Sequence, residues 1–588
     1  MKKLQIRLFL FLIIVLSNSI LYGQEDFPKG YFGPPLPIPL SLSGSFSELR
    51  NNHFHGGIDI RTNSQEGIPI LAIADGFVSR VRVAGSGYGN MIFVEHPIGY
   101  TSVCTHLSRF APQIAALIKE KQYEHETFEI TLELGKDLFP VKKGDTIAFS
   151  GNSGHSLAPH LHFEIRETKS NWVINPLFCN FNLTDNIKPQ ILSVKIYPLD
   201  HKSAIKVEYN GKNGPYTRIY FKPVEFKTYL RNGEYVLSGV KQVFTTGNIG
   251  IAAEFRDQIN GSGNILDIYS VDLSCNNKLI YRQIRKTFSL DDTRYINAHR
   301  DYEAKVLYKR QFQRLWVLSN NKISFYENLI NRGIINLKEG DSIKTQITAS
   351  DYFNNIVSLS FPMCYFSLAD SLFPVESDTS YQKYFYAKRP NLFSSEGIEL
   401  FFLENSFYED LKFQYRKSPS KSWLYSDVHH IHNNKTPIQY PYTIRIKADK
   451  IPERLRSKAL IAEVWNSSYN SMGGSYKDGY VEAKVKMFGS YAIMVDTLAP
   501  VVQTLNFWNN SNIAYLPEIR ISIYDKLSGI KLYRATIDGK WILMEYDEKR
   551  NLLYHKFDEH TSKGEHIFNL VVTDEKDNFK EINLKFIR

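Results

Sequence analysis

Apolar and polar residues alternate along most of this chain. In "FVSRVRV" Phe77, Val81 and Val83 share one parity, and Arg80 and Arg82 the other. A period of two sends apolar side chains to one face of a strand and charged ones to the opposite face. Between residues 51 and 180 such runs recur as "IPILAIADG", "NMIFVEHP" and "YTSVCTHLS", punctuated by glycine. Several short strands at this spacing predict a compact antiparallel sheet. One stretch breaks the period. "PQIAALIKEKQYEHETFEI", residues 112–130, has helical composition, with Ile114, Leu117 and Ile118 on one face. It predicts a helix that projects from the sheet.

After residue 183 the texture stays β to the end, with Asn-Gly and Asp-Gly turn signals. "ITASDYFNNIVSLSF" (347–361) and "NLVVTDEKDNFKEINLKF" (569–586) each run strand, Asp, Asn-containing turn, strand. Closing hairpins of immunoglobulin-like sandwiches have this form. The expected fold class is mainly β: an antiparallel sheet domain, then several immunoglobulin-like β-sandwich domains. The expected units are 1–23, a lead-in segment 24–50, a sheet domain 51–183, sandwich-like domains 184–300 and 301–365, a β-rich domain 366–495 and a last immunoglobulin-like domain 496–588. A chain of 588 residues is too long for one core, at about 150 residues per domain.

Composition changes this picture little. Hydrophobic residues make up 43% and charged residues 22%, which argues against large-scale disorder. The N-terminus adds more. Lys2, Lys3 and Arg7 precede the short apolar run Leu8 to Leu16, which reads as a secretory signal peptide and is too short to span a bilayer. Export to the periplasm or cell envelope is expected. The net charge of +10, with no long basic run, fits an anionic neighbourhood without demanding nucleic acid. Cys104, Cys179, Cys275 and Cys364 form no CxxC pair, which excludes a thiolate zinc finger.

Ligand-type side chains concentrate within 51–165: His53, His55 and Asp59, then His106, then His160 and His162. Residues i and i+2 of a strand face one side, so His160 and His162 can share a site while Leu161 and Phe163 face a core. A histidine pair on one strand face, joined by a third histidine and a carboxylate, suits Zn²⁺, which in catalytic sites takes three protein ligands and keeps one open position. Gly56 and Gly57 predict a tight turn that brings His55 and Asp59 together. Geometry alone leaves His53 and His55 equal. No HExxH helix or G-x-S-x-G elbow is present. "HHIHNN" (429–434) reads as a solvated loop.

The ordered set "HFHGGIDI", "GNMIFVEHPIGYTSVCTHLS" and "VKKGDTIAFSGNSGHSLAPHLHFEI" resembles the LytM/lysostaphin-type zinc endopeptidases, peptidase family M23. The resemblance covers about 48–178 and makes 51–183 the peptidase domain. It implies one Zn²⁺ held by His55, Asp59 and His162, with His106 and His160 as catalytic histidines and His96 structural. It also implies a zinc metalloendopeptidase that uses a metal-activated water on peptide cross-links of bacterial peptidoglycan. The family's usual Tyr before the middle histidine is Cys104 here, and its usual Gly before the last motif is Ala158. A pro-segment asparagine can block the metal in this family, which raises the same question for Asn51 and Asn52. Two alternatives stand beside this reading. One is a catalytically silent relative that binds cell wall or activates another hydrolase. The other is an envelope scaffold whose β domains engage a protein partner.

Overall fold

The computed structural model describes residues 27–28, 30–212, 214–374, 381–466 and 468–588. The expected signal peptide, 1–23, lies outside the described residues. Among the described residues no helix is long and apolar enough to cross a membrane.

The first unit is built from β1 (Leu42–Gly44), β2 (Ile58–Arg61), β3 (Pro69–Leu71), β4 (Gly76–Val83), β5 (Asn90–His96), β6 (Tyr100–Leu107), β7 (Arg109–Phe110), α1 (Pro112–Glu124), β8 (Ile130–Glu133), β9 (Pro140–Val141), β10 (Thr146–Phe149), β11 (His160–Glu167) and β12 (Val173–Ile174). The main sheet runs β1-β2-β11-β6-β5-β4-β8, and β3-β10-β7 form a second, small sheet. Every pairing along the main path is antiparallel. Ile58, Ile60, Leu161, Phe163 and Ile165 fill the core beneath it.

In β4 the expected alternation is broken by a bulge between Val78 and Arg80. Val78, Val81 and Val83 are therefore buried, and Phe77 is not. The expected helix is present as α1, opened by Pro112 in its first turn and burying Ile114, Ile118 and Gln122. Proline is tolerated there because a helix's first N–H groups have no intrahelical partner.

Residues 184–300 and 301–365, expected as two units, share one sheet and one core. Phe312–Arg314 pairs with Ile249–Arg256, and Ser342–Ser350 pairs with Ser270–Cys275. Ile191, Ile251, Leu315 and Leu359 belong to one buried cluster. The sheet of the first unit also continues into this one, since β12 pairs with Thr287–Phe288. Beyond residue 381, two five-stranded sheets enclose the cluster of Phe385, Phe402, Tyr442 and Phe488. A four- and a five-stranded sheet then enclose that of Ile519, Ile521, Phe568 and Leu570. The "HHIHNN" stretch is no loop at its start. Val428–Ile431 is a strand, and His429 is buried against the Tyr415 hydroxyl at 2.9 Å. All four cysteines are free, two of them buried.

Candidate metal centre and catalytic cleft

Strand register builds the centre. Antiparallel pairing sets Asp59 of β2 opposite His162 of β11, and Arg61 opposite His160. Directly paired residues project to the same side of a sheet. His55, just ahead of β2, reaches the same point. Its Nε2 lies 3.0 Å from Asp59 Oδ1, and His162 Nδ1 lies 3.0 Å from the same oxygen. The two ring nitrogens are 2.9 Å apart, and all three side chains are buried.

Gly56 and Gly57 serve this approach differently from the expected turn. Neither has a positive φ. A Cβ on Gly57 would lie 2.2 Å from the Phe163 carbonyl oxygen, and one on Gly56 would lie 2.9 Å from Glu164 Oε1. Absence of a side chain lets this segment lie against β11.

The far side of each ring is fixed. His55 Nδ1–H donates to the Ser45 carbonyl at 2.7 Å, and His162 Nε2–H donates to Glu164 Oε1 at 2.9 Å. Glu164 is fully buried and is held by Arg166, whose Nε lies 2.7 Å from Oε2. Such outer contacts select the tautomer and turn the remaining nitrogen toward the metal side. Asp59 Oδ2 accepts from Arg50 Nη2 at 2.7 Å, which leaves Oδ1 to face the histidines.

Three lone-pair atoms, two nitrogens and one oxygen, thus crowd one point. Only a proton or a cation can separate them. Without metal the chain uses a proton. Burial opposes the charge on His162, but hydrogen bonds to Asp59 and Glu164 push it up to about 9. Burial also opposes ionisation of Asp59, yet the imidazoles of His55, His160 and His162 around it hold it well below the carboxylate range. Burial lowers His55 against the pull of Asp59. His55 Nε2, Asp59 Oδ1 and His162 Nδ1 fit a zinc ion, a borderline acid that takes N and O donors.

His106 and His160 flank this point. His160 Nε2 is 3.5 Å from Asp59 Oδ1, and its Nδ1–H donates to the Ala158 carbonyl at 2.9 Å. His106 sits in a β6 bulge opposite β5 and adopts φ 60°, uncommon for a residue with a side chain. Its ring stands 4.9 Å from that of His160, and its Nδ1–H donates to the Ser153 carbonyl at 2.9 Å. Burial, then the charges of His162 and His160, push His106 down to about 3.

His53 stays outside, exposed, with Nδ1–H donating to the Asn51 carbonyl at 2.9 Å. Asn51 is exposed, and Asn52 Oδ1 accepts from Asn297 at 3.3 Å. His96 is buried between the Asp75 carbonyl and the Ser102 hydroxyl, at 3.0 Å each. Cys104 pairs with Phe163 in the core. Sequence reasoning missed Arg50, Tyr88, Glu164 and Arg166. Tyr88 places its ring 5.2 Å from His162. Glu164 and Arg166 had a signal, since positions i+2 and i+4 share the strand face of His162.

The last unit reaches the rim of this cleft. Loop 152–156 carries Ser153, which holds His106, and Ser156, whose hydroxyl lies 3.2 Å from His160 Nδ1. From outside, Lys549 Nζ donates to the carbonyls of Asn152 and Ser156, the latter at 3.1 Å. On the neighbouring wall, Tyr123 of α1 stacks on His560 at 3.9 Å and donates to Asp558 at 2.7 Å.

Residues 53–123 match the family model for peptidase family M23, and residues 382–496 match that for a Zu5-like domain. The chain carries a peptidase family M23 domain. An uncharacterized metalloprotease of Haemophilus influenzae is 31% identical over 169 residues, covering 27% of this chain and 30% of that protein. The DD-carboxypeptidase/endopeptidase Mpg of Neisseria meningitidis is 32% identical over 149 residues, covering 25% of this chain and 26% of that protein. The glycyl-glycine endopeptidase ALE-1 of Staphylococcus capitis is 30% identical over 150 residues, covering 25% and 32%. The match spans less than a third of the length of each relative.

Proposed function

We propose that this chain is an exported zinc metalloendopeptidase that hydrolyses peptide cross-links of bacterial peptidoglycan. The observation that supports it best is the convergence of His55, Asp59 and His162 on one point, with His106 and His160 beside it. The activities in the relatives' names, a DD-carboxypeptidase/endopeptidase and a glycyl-glycine endopeptidase, favour wall peptides as substrate.

A zinc ion bound there supplies Lewis acidity, polarising a carbonyl and acidifying water. The remaining work belongs to the chain. Glu164, Ser45 and Arg50 hold the three ligands in orientation. His160, with its Nδ1–H committed to Ala158, offers Nε2 to take a proton from attacking water and return it to the leaving amine. His106 is kept neutral by burial. As negative charge develops on the substrate oxygen beside it, its Nε2 takes up a proton from solvent and donates a hydrogen bond to that oxygen, returning the proton to solvent when the charge is lost.

Metal analysis joined to mass spectrometry of purified peptidoglycan tests this reading. The wild type should carry one zinc and release wall fragments. His106→Ala should keep the zinc and lose cleavage by about 10²–10⁴-fold, and His162→Ala should lose both. Zinc retained by the wild type with no cleavage of any wall or glycine-rich peptide would sink the enzyme reading.

A further inference from the structure

A second set of acidic side chains lies at the junction after the M23 domain. Asp185 of the connecting segment, Asp257 after strand Ile249–Arg256 and Asp351 after strand Ser342–Ser350 bring carboxylate oxygens within 4.8 Å of one another. Asp257 decides what this cluster means. It is 5% exposed, and its buried Oδ1 has no hydrogen-bond partner. A cavity of about 30 Å³ lies beside it, lined by Asp185, Asp257, Asp267 and Asp351 among others. The nearby cation is already committed, since Arg285 Nη1 pairs with Asp267 at 2.8 Å.

An isolated carboxylate oxygen is not left in a dry interior without a partner. Burial, then the charges of Asp351, Asp185 and Asp267, push Asp257 up to about 8. Asp351 likewise rises to about 6, burial being the largest cause. The neighbouring carboxylates therefore repel where no donor separates them. The supports point the same way. Asn355 gives its N–H to Asp351 Oδ1 at 2.8 Å, and its Nδ2 to Asp351 Oδ2 at 2.7 Å and the Asp185 carbonyl at 3.1 Å. Asn355 thus shapes the ring of oxygens without neutralising it.

The last unit repeats this scaffold. Asn578 makes the same bonds to Asp574, at 2.8 and 2.7 Å, and to the Asp496 carbonyl at 3.1 Å, with Asp525 as third carboxylate. Donors reach both clusters. In the second, Ser528 N–H lies on Asp496 Oδ2 at 3.0 Å and Gly529 N–H on Asp525 Oδ1 at 2.8 Å. In the first, Ile187 N–H lies on Asp185 Oδ1 at 3.0 Å and Asn260 N–H on the same oxygen at 3.3 Å. Of the two, only the first holds a buried carboxylate oxygen without a donor, Asp257 Oδ1. The comparison isolates the orphaned oxygen as the feature special to the first cluster.

We propose that Asp185, Asp257 and Asp351 bind a divalent cation of the calcium class and thereby tie the segment leaving the M23 domain to the next unit. An all-oxygen set from three separate loops suits calcium, which accepts variable geometry, over magnesium, which demands an octahedron, and over zinc, which prefers nitrogen and sulfur.

The test uses the full chain, stripped with chelator and reloaded with one equivalent of zinc. Calorimetric titration with Ca²⁺ alone should show binding with a Kd of about 1 mM or tighter, and Tm should rise as the site fills. Asp257→Asn keeps the side-chain volume and removes one charge. It should lose one bound calcium per chain and the accompanying Tm rise, with zinc content unchanged. The proposal is overturned by a wild type that takes up no Ca²⁺, by Asp257→Asn binding Ca²⁺ as the wild type does, or by Mg²⁺ binding as tightly as Ca²⁺. None of these readouts depends on peptidase activity.

Discussion

Asp59 divides its two oxygens between Arg50 at 2.7 Å and the histidine pair, so Arg50 orients the carboxylate proposed as a zinc ligand. Arg50→Ala should weaken zinc binding by about 10–100-fold, the cost of losing a partner that orients a ligand. Competition with a chromogenic chelator measures it. His162 carries a second consequence. Its raised value of about 9 keeps it protonated at neutral pH in the metal-free chain, and zinc must displace that proton from Nδ1. Zinc uptake at pH 7 should therefore release about one proton per ion. Apparent affinity should rise with pH up to about 9 and level off above it. Calorimetry in two buffers of different ionisation enthalpy gives the proton count.

At the scale of elements, pairing of β2 with β11 converts two distant motifs into one centre. That pairing depends on Gly57 having no side chain, because the Phe163 carbonyl is where a Cβ would fall. Gly57→Ala should cost about 1–3 kcal/mol or more of stability, as overpacking does, and should lower zinc content with it. Thermal unfolding beside metal analysis checks both. The strands themselves were legible from the period of two, and so was α1. Details set by a neighbour were not. The β4 bulge reversed the parity of Phe77 and Val78, and the β6 bulge aimed His106 at the cleft. A bulge depends on the partner strand, which a run of residues does not name.

Across the whole molecule, the M23 domain is tied to the β unit of residues 184–365. Phe54, next to the proposed ligand His55, packs its ring 4.9 Å from Phe325 and 5.8 Å from Phe288. Arg300 Nη1 donates to the Arg50 carbonyl at 3.0 Å, Arg285 Nη1 to the Ser47 carbonyl at 3.3 Å, and Thr293 Oγ1 to the Phe54 carbonyl at 3.2 Å. The segment that carries His55 and Arg50 is thus clamped by residues 285–325. A fragment of residues 24–183 exposes this aromatic cluster and loses the clamp. It should be poorly soluble or bind zinc at least tenfold more weakly than the full chain, as sedimentation and chelator competition would show. Full-length affinity in that fragment would remove the clamp's importance.

The donor set of His55, Asp59 and His162, with His106 and His160 nearby, was implied by the family resemblance; by itself the sequence determined the local things: the β periodicity, α1, and the i+2 and i+4 spacings of the candidate ligands. These are carried by side chains at short, fixed spacing. Only the tertiary structure decided what holds them. The Ser45 and Ser153 carbonyls that orient His55 and His106 are backbone atoms, which every residue has and no motif marks. Arg50, Arg285 and Arg300 act through contacts that close only when the sheets pack. The expected boundary at 300/301 vanished for the same reason, since its strands pair across distances along the chain that periodicity does not reveal.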